Sequence, residues 1–386
     1  MTNESVALDP KDQAEPCYVS SLMLSNFRNY GLLEMNMSEQ SVILVGANGA
    51  GKTNILEAVS LLTPGRGLRS AKLDELRHAA HRENGWAVAA EVMAGGEEHQ
   101  LGTGVITGEK RSIRIDGEDK KNQHALGLYC SAVWLTPQMC HMFGEGRGVR
   151  RRFFDRLVYN FDMDHASRIY SYEHTSRERL KLLTMRKPDS AWLKVLEEKL
   201  AAQSVAIAVA RLQLLEQLNY ACAELKDGAF PVAEVRLAGD AEALLASGLQ
   251  AVDAEASLTQ QLMENRGEDA RRGRSTIGAH RTEMQVYFVE KGVEAALCST
   301  GEQKALLLSV LMAHVKARAY WQGRMPLLLL DEVVAHLDVN RRAALFEMLK
   351  DMQIQCWMTG TDAADFSGFA ADAQLFNVNN STAIRI

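Results

Sequence analysis

The chain's 386 residues, 47% hydrophobic and 24% charged, suffice for a large core and two domains. A formal net charge of −6 leaves any nucleic-acid contact to local basic patches, and no apolar run reaches the roughly 20 residues that cross a bilayer. Six scattered cysteines (Cys17, Cys130, Cys140, Cys222, Cys298, Cys356) form no Cys-x-x-Cys pair, which argues against a zinc site and for a reduced, cytoplasmic setting without a membrane partner.

The polar, acidic residues 1–17 read as a flexible tail and not as a signal peptide. Tyr18–Ser25 and Leu32–Met37 alternate apolar and polar residues, which predicts strands flanking a turn at 26–30. Ser41–Val45 predicts a buried strand, followed by a helix over 52–62 that stops at Thr63-Pro64-Gly65. Further strands are expected at 86–93, 98–106, 110–115 and 130–135. Helical patterns then run through 147–184, 190–226 and 240–265. Strand 284–289, helix 301–319, strand 326–331, helix 340–352 and strand 354–359 complete the order. The expected fold is α/β, with a head formed by both chain ends (18–140 and 276–386) around a helical insertion at 141–275.

Gly46-Ala47-Asn48-Gly49-Ala50-Gly51-Lys52-Thr53 satisfies Gly-x-x-x-x-Gly-Lys-Ser/Thr between a strand and a helix. Its glycines let backbone N–H groups turn toward phosphate oxygens, and the helix N-terminus adds a favourable dipole. Lys52 would reach the β- and γ-phosphates of ATP, and Thr53 would bind Mg2+. The apolar run Pro326–Leu330 delivers Asp331 and Glu332 at the end of a buried strand. Asp331 would hold Mg2+ through water. Glu332 would orient or deprotonate the attacking water, a role typically worth about 10²–10⁴-fold in rate.

Ser299-Thr300-Gly301-Glu302 is a capping box opening a helix. The same helix end is also an anion site. Beside a phosphate loop, the natural anion is the γ-phosphate held by a second copy, which makes Ser299, Gly301, Glu302 and Gln303 candidates in trans.

Between Arg147 and Lys187 there are eleven Lys and Arg against five Asp and Glu. Arg150, Arg151, Arg152 and Arg156 are candidates for DNA phosphates, as are Arg271, Arg272 and Arg274. Each cluster also reads as a solvated helix face with pairs such as Arg151/Asp155.

These motifs resemble the ABC-type ATPases, specifically the SMC-like, DNA-associated heads. The shared features are the phosphate loop, Ser299-Thr-Gly-Glu-Gln-Lys304 and the Leu-Leu-Leu-Asp331-Glu332 strand. His336-Leu337-Asp338 resembles the D-loop, whose acid contacts the opposing subunit. Arg69 falls where such heads carry an arginine near the γ-phosphate. Leu24–Tyr30, Pro64–Arg69, Arg150–Asp155 and Ile277–Arg281 are similar to landmarks of the RecF family. The resemblance adds Arg28 and Asn29 to the ATP-binding candidates. Gln138 reads equally as a Q-loop residue and as a surface turn.

Gly67, Ala279 and Glu283 depart from the family pattern, and Thr359 occupies the switch position where a histidine would sense the γ-phosphate. The family implies an ATP-driven homodimer with weak, DNA-dependent ATP hydrolysis. It also implies action with RecO and RecR to direct RecA onto single-stranded gaps in repair and fork recovery.

About 250 residues separate the phosphate loop from Ser299. That is too long for a transporter subunit and too short for an SMC coiled coil. No extra acidic metal cluster suggests a coupled nuclease. A nucleotide-gated scaffold with little turnover is the alternative, and Glu332 argues against it.

Overall fold

The computed structural model describes residues 14–106, 110–225, 229–334 and 337–386. Residues 1–13 of the expected tail, and His336, lie outside them. Glu15 exchanges backbone hydrogen bonds with Gly323 and Met325, and the first strand begins at Cys17, within the expected tail.

The chain divides into two compact units. One comprises Met1–Cys140, Asp227–Phe230 and Leu311–Ile386, the other His141–Lys226 and Pro231–Val310. The first unit carries β1 (Cys17–Phe27), β2 (Tyr30–Asn36), β3 (Ser41–Val45), α1 (Lys52–Leu61), β4 (Trp86–Ala94), β5 (Glu97–Val105), β6 (Ser112–Ile115), β7 (Glu118–Lys120) and β8 (Ala132–Leu135). The second carries α2 (Arg147–Tyr159), α3 (His165–Leu183), α4 (Ser190–Ala223), β9 (Ala233–Ala238), α5 (Asp240–Ala246), α6 (Ala251–Glu264), α7 (Arg266–Arg272), β10 (Glu283–Phe288) and β11 (Val293–Glu294). Helix α8 (Thr300–Gln322) crosses the boundary. The chain then completes the first unit with β12 (Leu327–Leu330), α9 (Val339–Met352), β13 (Cys356–Gly360), β14 (Ala373–Asn379) and β15 (Thr382–Arg385).

Two six-stranded sheets build the first unit. One is antiparallel, in the order β2-β1-β4-β5-β6-β7. The other runs β15-β14-β3-β13-β12-β8 and is parallel except at the β15 edge. Every residue of β3, β8, β12 and β13 is buried, as expected of parallel strands covered on both faces. Ile55, Leu56, Val59 and Leu62 of the α1 segment join one core with residues of both sheets. The register pairs Val45 with Gly360, Met358 with Leu330, and Leu330 with Leu135. The chain therefore leaves β3, β8, β12 and β13 at one edge, where open α/β sheets place their ligands. Strands β14 and β15 were not anticipated.

In the second unit the expected helix over 147–184 is two helices, broken at residues 160–164. The pattern over 240–265 is also two helices, interrupted where Gly248 adopts φ 90°. The insertion is not wholly helical, because β11-β10-β9 form an antiparallel sheet. Pairing of Val286 with Val235 ties residues after 276 to this unit, so the return to the first unit comes at Leu311. Two buried arginines cross-link its elements. Arg211 binds Asp155 at 2.8 and 3.0 Å and Glu242 at 3.2 Å, while Arg179 binds Glu197 at 3.0 Å and Asp269 at 2.6 Å.

Candidate functional site

Strand β3 runs into the loop at Gly46, and the loop closes at Gly51, the N-cap of α1. Gly51 has φ 112°, and a Cβ there would sit 2.5 Å from the Tyr30 hydroxyl and 2.6 Å from Asn29 Nδ2. A Cβ on Gly46 (φ 155°) would lie 2.2 Å from the Val378 carbonyl oxygen. Both positions need glycine, for backbone conformation and for space. Ala50 N–H donates to Ala47 O at 3.1 Å, and Asn48 and Gly49 form the turn's exposed tip.

Lys52 is buried and donates from Nζ to Gly46 O (2.6 Å) and Ala47 O (2.9 Å). Burial pulls its pKa below the ordinary lysine range, against the opposing charges of Glu332 and Asp331. Thr53 Oγ1 donates to Asp331 Oδ1 at 2.9 Å, joining the first turn of α1 to the end of β12. Asp331 N–H donates to Leu135 O of β8 at 2.9 Å. Burial pushes the Asp331 carboxyl above its ordinary range, opposed by hydrogen bonds from Thr359 and Thr53.

Thr359 holds the two acids together, a link that sequence reasoning missed. Its hydroxyl donates to Asp331 Oδ1 at 2.8 Å and accepts the Glu332 backbone N–H at 2.8 Å. Glu332 has φ 54°, a left-handed conformation uncommon outside glycine. The backbone strain falls on the residue whose carboxylate is the candidate base.

A second cluster flanks the loop. Glu57 of α1 is fully buried and accepts from Arg28 Nε (2.8 Å), Arg28 Nη2 (2.7 Å) and Arg69 Nη1 (3.2 Å). Arg69 Nη1 also donates to Asn54 Oδ1 at 2.7 Å, and Asn54 Nδ2 donates to Asn29 Oδ1 at 2.7 Å. Arg28, Asn29 and Arg69, drawn from separate loops, thus meet on one face of α1. Their organisers, Glu57 and Asn54, went unrecognised. Both are spaced on α1 after Lys52 so as to face this side, a helical periodicity that could have signalled them. Gln138 is exposed, three residues beyond the end of β8 on the same sheet edge as Asp331.

Ser299 and Glu302 form the expected capping box. Ser299 N–H and Oγ–H each donate to Glu302 Oε2 at 2.8 Å, and Glu302 N–H donates back to Ser299 Oγ at 3.4 Å. Lys291 also pairs with Glu302. Lys291 and Ser299 together hold the Glu302 carboxyl down at about 2. Gln303 Nε2 donates to Cys298 O at 3.0 Å, and Gly301 is exposed at the first turn of α8. Asp338 caps α9, accepting Arg341 N–H at 2.9 Å.

The basic triplet is not one stripe. Arg150 turns inward to Glu283 Oε1 (2.6 Å from Nη2, 2.7 Å from Nε) and to the carbonyls of Phe143 (3.1 Å) and Met284 (3.2 Å). Burial lowers the Arg151 pKa and takes Arg156 down to about 9, its guanidinium packed 5.3 Å from the Phe153 ring centre. Asp155 binds Arg211 and His165, so the expected Arg151/Asp155 pair does not form. Arg147 and Arg152 remain exposed. Arg271 and Arg272 are exposed and pair with Glu268, and Arg274 is exposed nearby.

The family model for the RecF/RecN/SMC N terminal domain matches residues 18–382. The DNA replication and repair protein RecF of Mesorhizobium japonicum is 41% identical over 369 residues, spanning 95% of this chain and 97% of its own length. Its namesake from Brucella suis is 41% identical over 382 residues, spanning 96% and 98%. The chain belongs to the RecF family. A solved structure of the recombination mediator protein RecF with ATP, of the RecFOR pathway, superposes with a TM-score of 0.84 at 22% identity, covering 97% of this chain and 99% of that one. An Smc head domain from Pyrococcus furiosus bound to the C-terminal domain of ScpA gives 0.53 at 15% identity, covering 96% of each. The family's fold is thus an ABC-type P-loop ATPase head, here formed by both chain ends around the inserted second unit.

The residues present fit a nucleoside triphosphate and a hard cation. Only glycine fits at Gly46 and Gly51, a buried ammonium crosses the loop mouth, and a hydroxyl and a carboxylate share one hydrogen bond beside it.

Proposed function

We propose that this chain is an ATP-dependent DNA-binding protein of recombinational repair and replication-fork recovery. It dimerises on ATP and, with RecO and RecR, helps load RecA at single-stranded gaps in the cytoplasm. Among the described residues, no helix is long and apolar enough to cross a membrane. The observation that carries the reading is the junction at one sheet edge, where Thr53 meets Asp331 and Thr359 fixes Asp331 to Glu332. Family membership and the ATP complex of a solved RecF support it further.

In this reading Mg2+ supplies charge neutralisation between phosphate oxygens, held by Thr53 and Asp331. Lys52 leaves the loop carbonyls for the β- and γ-phosphates. The N–H groups from Gly46 to Thr53 cradle phosphate oxygens. Arg28, Asn29, Arg69 and Gln138 orient the nucleotide's surroundings. Glu332 accepts the proton of the attacking water. Ser299, Gly301, Glu302 and Gln303 close the site from a second copy, with Asp338 at that interface. The Glu302 carboxylate, held down by Lys291 and Ser299, keeps the capping box formed and the helix end open to an anion.

For DNA, the exposed Arg147, Arg152, Arg271, Arg272 and Arg274 are the better phosphate contacts. Arg150 and Arg156 serve the second unit's own packing.

The test is DNA binding by the purified protein, with and without ATP, on single-stranded, duplex and gapped substrates. ATP-dependent binding with preference for a gap is expected. Binding indifferent to ATP on all three substrates refutes the reading.

A further inference from the structure

The side chain of Arg318, on α8, is only 6% exposed. Its Nε is enclosed with no hydrogen-bond partner, and among the described residues no ion pair joins its guanidinium to a carboxylate. A guanidinium in that position is unfavourable unless an anion compensates it.

What Arg318 faces is sulfur. Arg318, Arg324, Cys17 and Cys130 line one cavity of about 210 Å3. Cys17 Sγ lies 3.7 Å from Tyr129 O, the carbonyl preceding Cys130. The Cys130 thiol and the Ser131 backbone N–H both hydrogen-bond to the Cys17 sulfur. Arg324 is already engaged, with Nη1 on Leu128 O at 2.9 Å and Nε 3.9 Å from Glu15.

The Cys130 hydrogen bond and the Arg318 charge hold the Cys17 thiol below the ordinary range, against burial. The Cys130 thiol is pushed well above it, by Cys17 and by burial. Burial also raises Cys222, Cys298 and Cys356. Sulfur reactivity follows thiolate character, and a buried cation beside two hydrogen-bond donors is the environment that creates it.

We propose that Cys17 is an oxidant-sensitive thiolate and Cys130 its resolving thiol, so that hydrogen peroxide converts the pair to a disulfide. The Cys17 thiolate attacks one peroxide oxygen, the O–O bond breaks, and the departing hydroxide takes a proton to become water. Cys130 sulfur then attacks the resulting sulfenic sulfur. The S–S bond forms as the S–O bond breaks, and the hydroxyl leaves as water with the Cys130 proton. Two thiols and one peroxide give one disulfide and two waters. The link would join the start of β1, in the antiparallel sheet, to the residue two before β8, at the edge of the parallel one.

The experiment treats the reduced full-length protein with limiting hydrogen peroxide, blocks remaining thiols with iodoacetamide, and maps the peptides by mass spectrometry. Cys17–Cys130 is expected as the first disulfide. Arg318→Met should slow its formation about tenfold through loss of thiolate, with Arg318→Lys retaining most of the rate. In Cys130→Ser, Cys17 should accumulate sulfenic and then sulfinic acid. Oxidation of the more exposed Cys298 before Cys17, or a wild-type rate in Arg318→Met, overturns the proposal. If Arg318→Met does not fold, unoxidised Cys17 in Cys130→Ser overturns it equally.

Discussion

Replacing Thr359 by valine tests the link between the two acids. Valine keeps the shape of this fully buried side chain and removes only the hydroxyl. Two hydrogen bonds of 2.8 Å are lost, one from the Glu332 N–H and one to the Asp331 carboxylate. The backbone bond is worth about 1 kcal/mol and the carboxylate bond about 1.5–3 kcal/mol, so the expected destabilisation is about 3 kcal/mol.

Its pH dependence has a definite sign. Burial raises the Asp331 pKa above its ordinary 3.8, and the Thr359 hydroxyl opposes that rise. The folded carboxyl therefore keeps its proton to higher pH than the unfolded one. This group's contribution to stability is full below 3.8 and is lost as pH climbs through the raised folded value. Removing Thr359 Oγ1 raises that value further, so the variant's deficit is larger at about pH 7 than at about pH 4. Urea unfolding of both proteins at the two pH values measures this. Thr359→Ser should recover most of the loss, and its ATPase rate should follow. A valine variant within about 0.5 kcal/mol of wild type at neutral pH refutes the reasoning.

Lys52→Ala should weaken nucleotide binding and ATP-driven association together; unchanged association in ATP, by sedimentation, removes Lys52 from the phosphate site. Glu332→Gln should accumulate an ATP-bound dimer visible by light scattering, and rapid turnover in that variant excludes Glu332 as the base. Arg150→Ala and Arg152→Ala should separate packing from DNA contact. The first should cost about 2–4 kcal/mol in thermal or urea unfolding, because it strands Glu283 and two carbonyls. The second should leave stability within about 0.5 kcal/mol and lower DNA affinity with a shallower salt dependence. Equal stability losses in the two contradict the inward turn of Arg150.

The phosphate loop, the acid-ending strand and the capping box were legible because each rests on local chemistry. Gly46 and Gly51 are dictated by backbone conformation and close approach, β12 by an unbroken apolar run, and Ser299–Glu302 by bonds spanning three residues. Strands β14 and β15 escaped because Ala373–Asn379 is short and mixed in polarity, and it becomes a strand by pairing with β3. Strand β9 acquires its role likewise, through β10.

Long-range contact also decided the roles of particular side chains. Parallel pairing of β12 with β13 brings Thr359 to Asp331, although nothing in Thr359-Gly-Thr announces a hydroxyl bridge. Glu57 looks like an ordinary helix glutamate until two distant loops deliver Arg28 and Arg69 to it. Charge counting treated Arg150, Arg151, Arg152 and Arg156 alike, but the packing of α2 buries the first and last and exposes Arg152. The sequence by itself determined the chemistry available along each short segment. Which hydroxyl, carboxylate or guanidinium meets which was left to the tertiary structure, because a hydrogen bond or ion pair forms only within about 3 Å, and chain separation does not set that distance.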